Sequence, residues 1–165
     1  SQLDVLKQAT SKFISNDAMQ LSLLILENYG LDSNYEAMST FAKSELLLLQ
    51  HRYKEAFQWM DTIATKFPQS VLNDDLIYLK GKAHELQGQW EQAAGYFKQI
   101  ISTYPTELLA DDALFHLANI QRIHFKDDSA AMESYLKIID QYPGSIYSEV
   151  ARLSIRRLRG DQIPE

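Results

Sequence analysis

The sequence predicts an all-α fold, a right-handed α-solenoid of antiparallel helix pairs with about nine helices. Two observations predict it. Apolar residues recur at helical spacing in successive stretches that short turns separate. Three of these stretches end in an aromatic residue followed by proline, at Phe67-Pro68, Tyr104-Pro105 and Tyr142-Pro143, which lie 37 and 38 residues apart. A period of about 34 to 40 residues is typical of helical repeat arrays, because a single helix pair cannot bury its apolar face alone.

The residues around these helix ends recur in register. Each proline is preceded by alanine at twelve residues, by a large apolar residue at eight and by isoleucine at five. The helix before it carries a small residue three positions after an aromatic one. The three copies are Phe41, Ser44, Ala56, Met60 and Ile63; Tyr78, Gly81, Ala93, Phe97 and Ile100; and Phe115, Ala118, Ala131, Tyr135 and Ile138. These columns predict close helix approach at the small residues and an apolar face on each second helix.

This pattern resembles the tetratricopeptide repeat family over about residues 36 to 158. The middle copy is most similar, with Tyr78, Gly81, Trp90, Ala93, Phe97 and Pro105 at the family's positions. Isoleucine stands at the family's second small position, at Ile63, Ile100 and Ile138. That departure, the Tyr-Pro ends and the long period are similar to bacterial cell-envelope variants such as the repeats of the Tol-Pal coordinator and the outer-membrane assembly lipoprotein. The resemblance favours a periplasmic or cell-envelope location over a cytoplasmic one.

The chain, 1–165, is predicted to be a single repeat domain. Leu3, Leu6, Ala9 and Phe13 predict a helix over 3–14, and a second apolar run predicts one over 18–29, together a degenerate first pair. The predicted segments are 1–35 for this pair, 36–70, 71–107 and 108–144 for three repeats, 145–160 for a capping helix and 161–165 for a tail.

Two acidic sequences are predicted to cap helices. Asn73-Asp74-Asp75 opens the second repeat and Asp111-Asp112 the third. A helix N-terminus presents unpaired amides and partial positive charge, so caps are favoured over a metal site. The turn 124–129 is one residue longer than its counterparts, which accounts for the longer second interval.

The last segment, 145–159, is predicted to close the array as a solvating helix. Ile146, Val150, Leu153 and Arg157 are predicted to share one stripe, which Ile155 and Leu158 extend. Four basic residues concentrate here, Arg152, Arg156, Arg157 and Arg159. They form either a polar cap with favourable charge at a helix C-terminus or a second docking surface for an acidic partner or another part of a larger protein.

Composition and motifs argue against several classes of function. No run approaches the ~20 apolar residues of a membrane span, so no membrane insertion is expected. The chain has no cysteine, and its four histidines lack the spacing of a helical zinc site, so neither a metal nor another cofactor is expected. Phosphate loops, serine elbows and cysteine nucleophiles are absent from the sequence, which predicts a protein that is not an enzyme.

The charge balance argues against nucleic acid. The formal net charge is −6, and without the four terminal arginines the rest of the chain is more acidic still. Contacts to phosphates need a basic surface. A protein or peptide is therefore the expected partner.

The resemblance implies that the first helix of each repeat lines a concave groove that binds a partner segment. The groove residues that it implies are Phe41, Glu45, Leu48, Tyr78, Lys82, Glu85, Phe115, Asn119 and Arg122. The aromatic column Phe41, Tyr78 and Phe115 belongs either to the groove or to the core. The first repeat offers Phe41 and Glu45 where carboxylate-clamp members of the family carry polar and basic residues, so a clamp for a negative peptide end is not expected.

Two functions remain. The chain is either an interaction scaffold that holds a partner segment in its groove, or the C-terminal structural fragment of a longer solenoid with no independent ligand.

Overall fold

The computed structural model describes residues 35–161. Within that range the chain forms seven α-helices and no strand, which confirms the all-α class. The helices are α1 Tyr35–Leu49, α2 Tyr53–Lys66, α3 Asn73–Leu86, α4 Trp90–Thr103, α5 Ala110–Ile123, α6 Asp128–Gln141 and α7 Ser148–Arg159. The predicted count of about nine helices is not matched. The helices predicted over 3–14 and 18–29 lie outside the described residues, as do residues 162–165 of the predicted tail.

The described residues divide into two compact units, one ending at Asn73 and the other beginning at Asp74. In the first unit α1 packs against α2. In the second, α4 packs on α5, α5 on α6 and α6 on α7. This consecutive packing of helix pairs is the arrangement of a tetratricopeptide-like solenoid. The single domain predicted over 1–165 stays a prediction.

The predicted apolar columns form the cores of both units. In the first unit the buried residues of α2 are Ala56, Met60 and Ile63, and each is fully buried. In the second unit the same columns are fully buried in α4 and in α6. These residues are Ala93, Phe97 and Ile100 in α4, and Ala131, Tyr135 and Ile138 in α6.

Helix α5 contributes to two separate cores in the second unit. Ala113, Leu117 and Ile120 pack with α4, whereas Leu114 and Ala118 pack with α6 and α7. Small residues on both faces let this helix approach its neighbours closely. The helix therefore joins one repeat to the next.

The turn between the two helices of each pair has one residue with a positive φ. These residues are His51 at 57°, Gly88 at 70° and Lys126 at 58°. Glycine adopts this left-handed conformation without cost, whereas a side chain makes it unfavourable. A left-handed residue therefore precedes the second helix in all three pairs, and only at Gly88 is it a glycine.

The residues of the predicted stripe of α7 lie on two different faces. Ile146 is 82% exposed and Val150 is 46% exposed, while the residues packed inward are Ala151 and Ile155, with Leu158 partly buried beside them. Ala151 follows Ala113 of α5 by the 38-residue repeat interval, and Ile155 follows Leu117 by the same interval. The face of α7 that packs is the one in repeat register with α5, where alanine allows the closest approach. The size of an apolar side chain does not by itself decide whether it is buried.

The predicted acidic pairs lie at the helix starts, and Asp111 Oδ1 accepts a 3.0 Å hydrogen bond from the amide of Asp112. Asp74, Asp75, Asp111 and Asp112 lie in the first turns of α3 and α5, where they face the positive end of the helix. At the start of α6, Asp127 caps with its side chain, whose Oδ1 accepts a hydrogen bond of 2.9 Å from the amide of Ala130.

Candidate protein-interaction surface

Three half-buried side chains form a polar cluster between α3 and α5, called here the inner cluster. Lys82 Nζ lies 2.7 Å from Glu85 Oε2, and His116 Nδ1 lies 3.0 Å from Glu85 Oε1. Lys82 Nζ is also 3.4 Å from His116 Nε2. Each ring nitrogen of His116 therefore contacts one of the other two side chains. The cluster thus holds one cation and one anion in fixed positions.

Spacing along the helices explains why these side chains meet. Lys82 and Glu85 are three residues apart on α3, so they share a face. His116 enters from α5, one repeat later. The side chains of all three remain partly open to solvent, at 31% for Lys82 and 20% for each of the other two.

Aromatic rings pack against His116 of the inner cluster. His116 stacks on Phe97 with the ring centroids 5.1 Å apart, and Tyr78 packs edge-on against His116 at 5.9 Å. Phe97 is fully buried and also contacts Tyr78, at 5.8 Å. Its ring occupies the space that a Cβ at Gly81 would need, since that Cβ would lie 2.8 Å from Phe97 Cε1. The small residue in α3 therefore makes room for the ring on which the histidine rests.

The hydrogen bonds of the inner cluster keep Glu85 charged. Burial raises the pKa of Glu85, but hydrogen bonds from His116 and Lys82 outweigh burial and leave it below its ordinary value. A carboxylate whose pKa is lowered on folding stabilises the fold above its unfolded pKa, and this contribution is lost as the pH falls. The cluster is therefore an intact ion pair at neutral pH.

A second group joins α5 to the start of α7. The rings of Phe115 and Tyr147 stack with centroids 4.2 Å apart, and the Tyr147 hydroxyl donates a 2.5 Å hydrogen bond to Asp112 Oδ1. Burial raises the pKa of Asp112, and the hydrogen bond from Tyr147 opposes that effect only in part. Burial, followed by the bond to Asp112, raises the pKa of Tyr147. Phe115 is thus held by a ring from the following repeat.

Two polar side chains of α5 lie closer to α6. Asn119 Oδ1 accepts a 2.7 Å hydrogen bond from the Tyr135 hydroxyl. The Nε atom of Arg122 is buried, and it has no hydrogen-bond partner within the part of the chain that the structure describes. A buried donor without a partner is costly, and an acceptor from a bound molecule would satisfy it.

In the first unit, the predicted groove residues are mostly core residues. Phe41 is 3% exposed and Leu48 is 4% exposed. The alternative left open for Phe41 is therefore decided in favour of the core, and Leu48 is not available to a partner either. Glu45 is half-buried between them, and burial raises its pKa from 4.5 to about 7.

Residues 78–146 match the family model of the tetratricopeptide repeat. The match supports a tetratricopeptide repeat family for this chain. It spans α4, α5 and α6 completely and includes the inner cluster. No curated protein matches the sequence.

The repeats bring together only part of the predicted groove. Lys82 and Glu85 are in direct contact, with Tyr78 beside them through His116. Phe115 and Asn119 are half-buried by neighbours from the following helices. The sequence did not indicate His116, Asp112 or Tyr147 as site residues. The repeat register gives no signal for His116, because the residue 37 positions before it is Leu79.

The four arginines of α7 are exposed and differ in their partners. Arg152 lies 3.9 Å from Glu149, and Arg156 lies 3.9 Å from Asp161. Arg157 and Arg159 make no ion pair with any other described residue. The helix thus has two cations that are not neutralised within residues 35–161.

A cleft of about 220 Å³ lies on a different face of the second unit, between α4, α5 and α6. Lys98 and Lys137 line it together with Ile101, Leu114 and Leu117.

No cluster of histidine and carboxylate side chains able to hold a metal ion occurs among the described residues. Over the same range, none of the helices combines the length and the apolar character that crossing a bilayer requires.

Proposed function

We propose that this protein is a non-catalytic scaffold that binds a segment of a partner protein along α3 and α5, the first helices of the two repeats in the second unit. The observation that carries this proposal is the inner cluster, in which charged groups of both signs are fixed at a partly exposed surface between two repeats. The tetratricopeptide repeat match supports a function in protein interaction.

The inner cluster suits recognition of a polar or mixed segment. Lys82 and Glu85 hold each other and His116 in place, so little side-chain entropy is lost when a partner binds. Arg122 adds a donor, Nε, that no described residue satisfies. A backbone carbonyl or a side-chain oxygen of the bound segment is a suitable acceptor.

The charge of this surface also limits the partner. Glu85, Asp111 and Asp112 lie on the same two helices as Lys82 and Arg122. An isolated negative peptide terminus would meet these carboxylates as well as the cations. A segment of mixed charge fits better, and we expect a single segment to bind with micromolar affinity, about −8 kcal/mol.

The charge of the whole chain favours a protein over nucleic acid as the partner. The formal net charge is −6, whereas a surface that binds phosphates is basic.

We also propose a cell-envelope location, on the similarity of the repeat ends to envelope variants of the family. Fractionation of cells that express the full-length protein would test it, and recovery in the cytoplasm alone would contradict it.

The proposed function is tested by removing two positive charges from either of two faces. One variant is Lys82→Gln with Arg122→Gln. Its matched control is Lys98→Gln with Lys137→Gln, which makes the same charge change in the cleft of α4, α5 and α6. Glutamine keeps a donor next to Glu85, so both variants should fold, and circular dichroism checks this.

Affinity capture from the native source, with partners identified by mass spectrometry and confirmed with purified components, then compares the three proteins. A partner bound by the wild type and the control but lost by the first variant supports the proposal. Loss only in the control moves binding to the other face. Capture by none contradicts an independent scaffold and favours a packing function within a longer solenoid.

A further inference from the structure

A second, partly exposed stripe lies on α7 and the turn before it, away from the packed face. The stripe consists of Val150, Leu153 and Arg157 on the helix and Ile146 two residues before its start, and is called here the outer stripe. Val150, Leu153 and Arg157 have the i, i+3, i+7 spacing of one helix face. Ile146 and Val150 are exposed, and Leu153 is half-buried.

The repeat register places the outer stripe in line with the proposed binding surface. Val150, Leu153 and Arg157 follow Asp112, Phe115 and Asn119 by 38 residues each. The stacking of Tyr147 on Phe115 brings the start of α7 against this part of α5. The outer stripe therefore corresponds to the groove positions of a further first helix, with apolar residues and a cation in place of Asp112 and Asn119.

The charge of α7 indicates the chemistry of what binds there. The helix contains four arginines and one glutamate, a formal charge of +3 (4 − 1), in a chain whose total is −6. Arg157, on the outer stripe, has no ion pair among the described residues. An aliphatic surface beside unpaired positive charge complements a segment that carries both aliphatic and acidic side chains.

We propose that the outer stripe binds an acidic, aliphatic segment of a partner protein and forms one end of the interaction surface of α3 and α5. This proposal rests on the proposed function. In this proposal the arginines of α7 have different functions. Arg157 contacts the partner, whereas Arg152 and Arg156 do not, because each has a carboxylate of this chain within 4 Å.

Another repeat helix does not fit as the occupant. In α5, Leu114 and Ala118 receive the second helix of the pair, α6. The residues 38 positions later in α7 are Arg152 and Arg156. Helix axes approach to about 8 to 10 Å in such packing, which two arginines at the contact would prevent. The outer stripe is separate from this face and is left for a different kind of ligand.

The test uses the full chain and short random peptides displayed on phage. Enriched peptides are then synthesised, and their affinities are measured by fluorescence anisotropy. The variants are Val150→Asp and Arg157→Glu, with Arg159→Glu as the matched control. Arg157 and Arg159 are both exposed in the last turn, so reversing either charge has a similar effect on the helix. Val150 lies in the first turn, where aspartate is tolerated, and melting curves verify the fold.

We expect enrichment of peptides with Asp or Glu beside Leu, Ile, Val or Phe. Their affinity should fall about tenfold in Val150→Asp and in Arg157→Glu and remain unchanged in Arg159→Glu. Enrichment of basic peptides, or equal weakening by Arg157→Glu and Arg159→Glu, overturns the proposal. Loss of binding only in the Lys82→Gln, Arg122→Gln variant overturns it while leaving the proposed function intact.

Two further outcomes are also decisive. If no peptide is enriched, both this proposal and the proposed function fail. If sedimentation shows that the wild type dimerises and Val150→Asp is monomeric, the occupant is a second copy of the chain, and the acidic partner is ruled out.

Discussion

Gly81 is required because of one contact. Replacing it with alanine would place a Cβ 2.8 Å from the Phe97 ring, which is fully buried and supports His116. We expect Gly81→Ala to lower the free energy of unfolding by about 1 to 3 kcal/mol, the usual cost of overpacking. Urea denaturation measures this change.

Gly95 in α4 is the matched control, because a Cβ there meets no atom within 4 Å. Gly95→Ala should raise stability by about 0.5 to 1 kcal/mol, since alanine is favoured over glycine within a helix. Opposite signs for the two variants are expected. Equal effects would mean that Phe97 does not constrain Gly81.

Glu45 makes the stability of the fold depend on pH. Its pKa is about 7 because of burial, against 4.5 ordinarily, so the folded state holds the proton more tightly than the unfolded state does. Stability therefore falls as the pH rises from the unfolded value towards 7 and levels off above that. Glu45→Gln removes this effect. The variant should gain about 3 kcal/mol relative to the wild type between about pH 4 and pH 8.

Denaturation of both proteins at the two pH values measures the gain. If the difference in unfolding free energy between the wild type and Glu45→Gln is the same at both pH values, Glu45 keeps an ordinary pKa.

Sequence reasoning at the residue scale predicted the core better than the surface. Alanine and isoleucine columns such as Ala93 and Ile100 are recognisable because volume and spacing alone decide burial. The inner cluster depends instead on where the side chains of Lys82, Glu85 and His116 point after α3 and α5 have packed. Repeat spacing also could not separate Phe41, which is core, from Phe115, which stacks on Tyr147.

Two of the turns between paired helices place a non-glycine residue, His51 or Lys126, at a positive φ, which is unfavourable for a residue with a side chain. Lys126 adopts a φ of 58° at the position where the preceding repeat has Gly88. Lys126→Gly should stabilise the protein by about 0.5 to 1 kcal/mol, because glycine removes the strain at a small entropic cost. Lys126→Ala is the control, since it removes the side chain but keeps the strain. A thermal midpoint that rises equally in both variants would assign the gain to the lysine side chain.

At the scale of elements, helix boundaries were predictable and helix faces were less so. Proline ended α2, α4 and α6 close to the predicted positions because it cannot continue a helix. The face of α7 was predicted only in part, because Ile155 and Leu158 pack inward whereas Ile146 and Val150 are exposed. The packed face was instead indicated by Ala151, a small residue in repeat register with Ala113.

At the scale of the molecule, repeats are stabilised mainly by their neighbours, so damage should remain local. Gly81→Ala disturbs the core that α4 and α5 share with Tyr78 of α3. Hydrogen exchange followed by mass spectrometry should show the largest loss of protection in these three helices and little change in α1 and α2. Equal loss in all seven helices would show that the chain unfolds as a single cooperative unit.

The distribution of tryptophan gives each unit its own optical reporter. The sequence has two tryptophans, Trp59 in the first unit and Trp90 in the second. Lys43 Nζ lies 3.5 Å from the centre of the Trp59 ring, whereas Trp90 stacks on His124 at 3.4 Å. Because these surroundings differ, the emission of Trp59→Phe and Trp90→Phe variants distinguishes unfolding, and ligand binding, in one unit from the same event in the other, with no added dye.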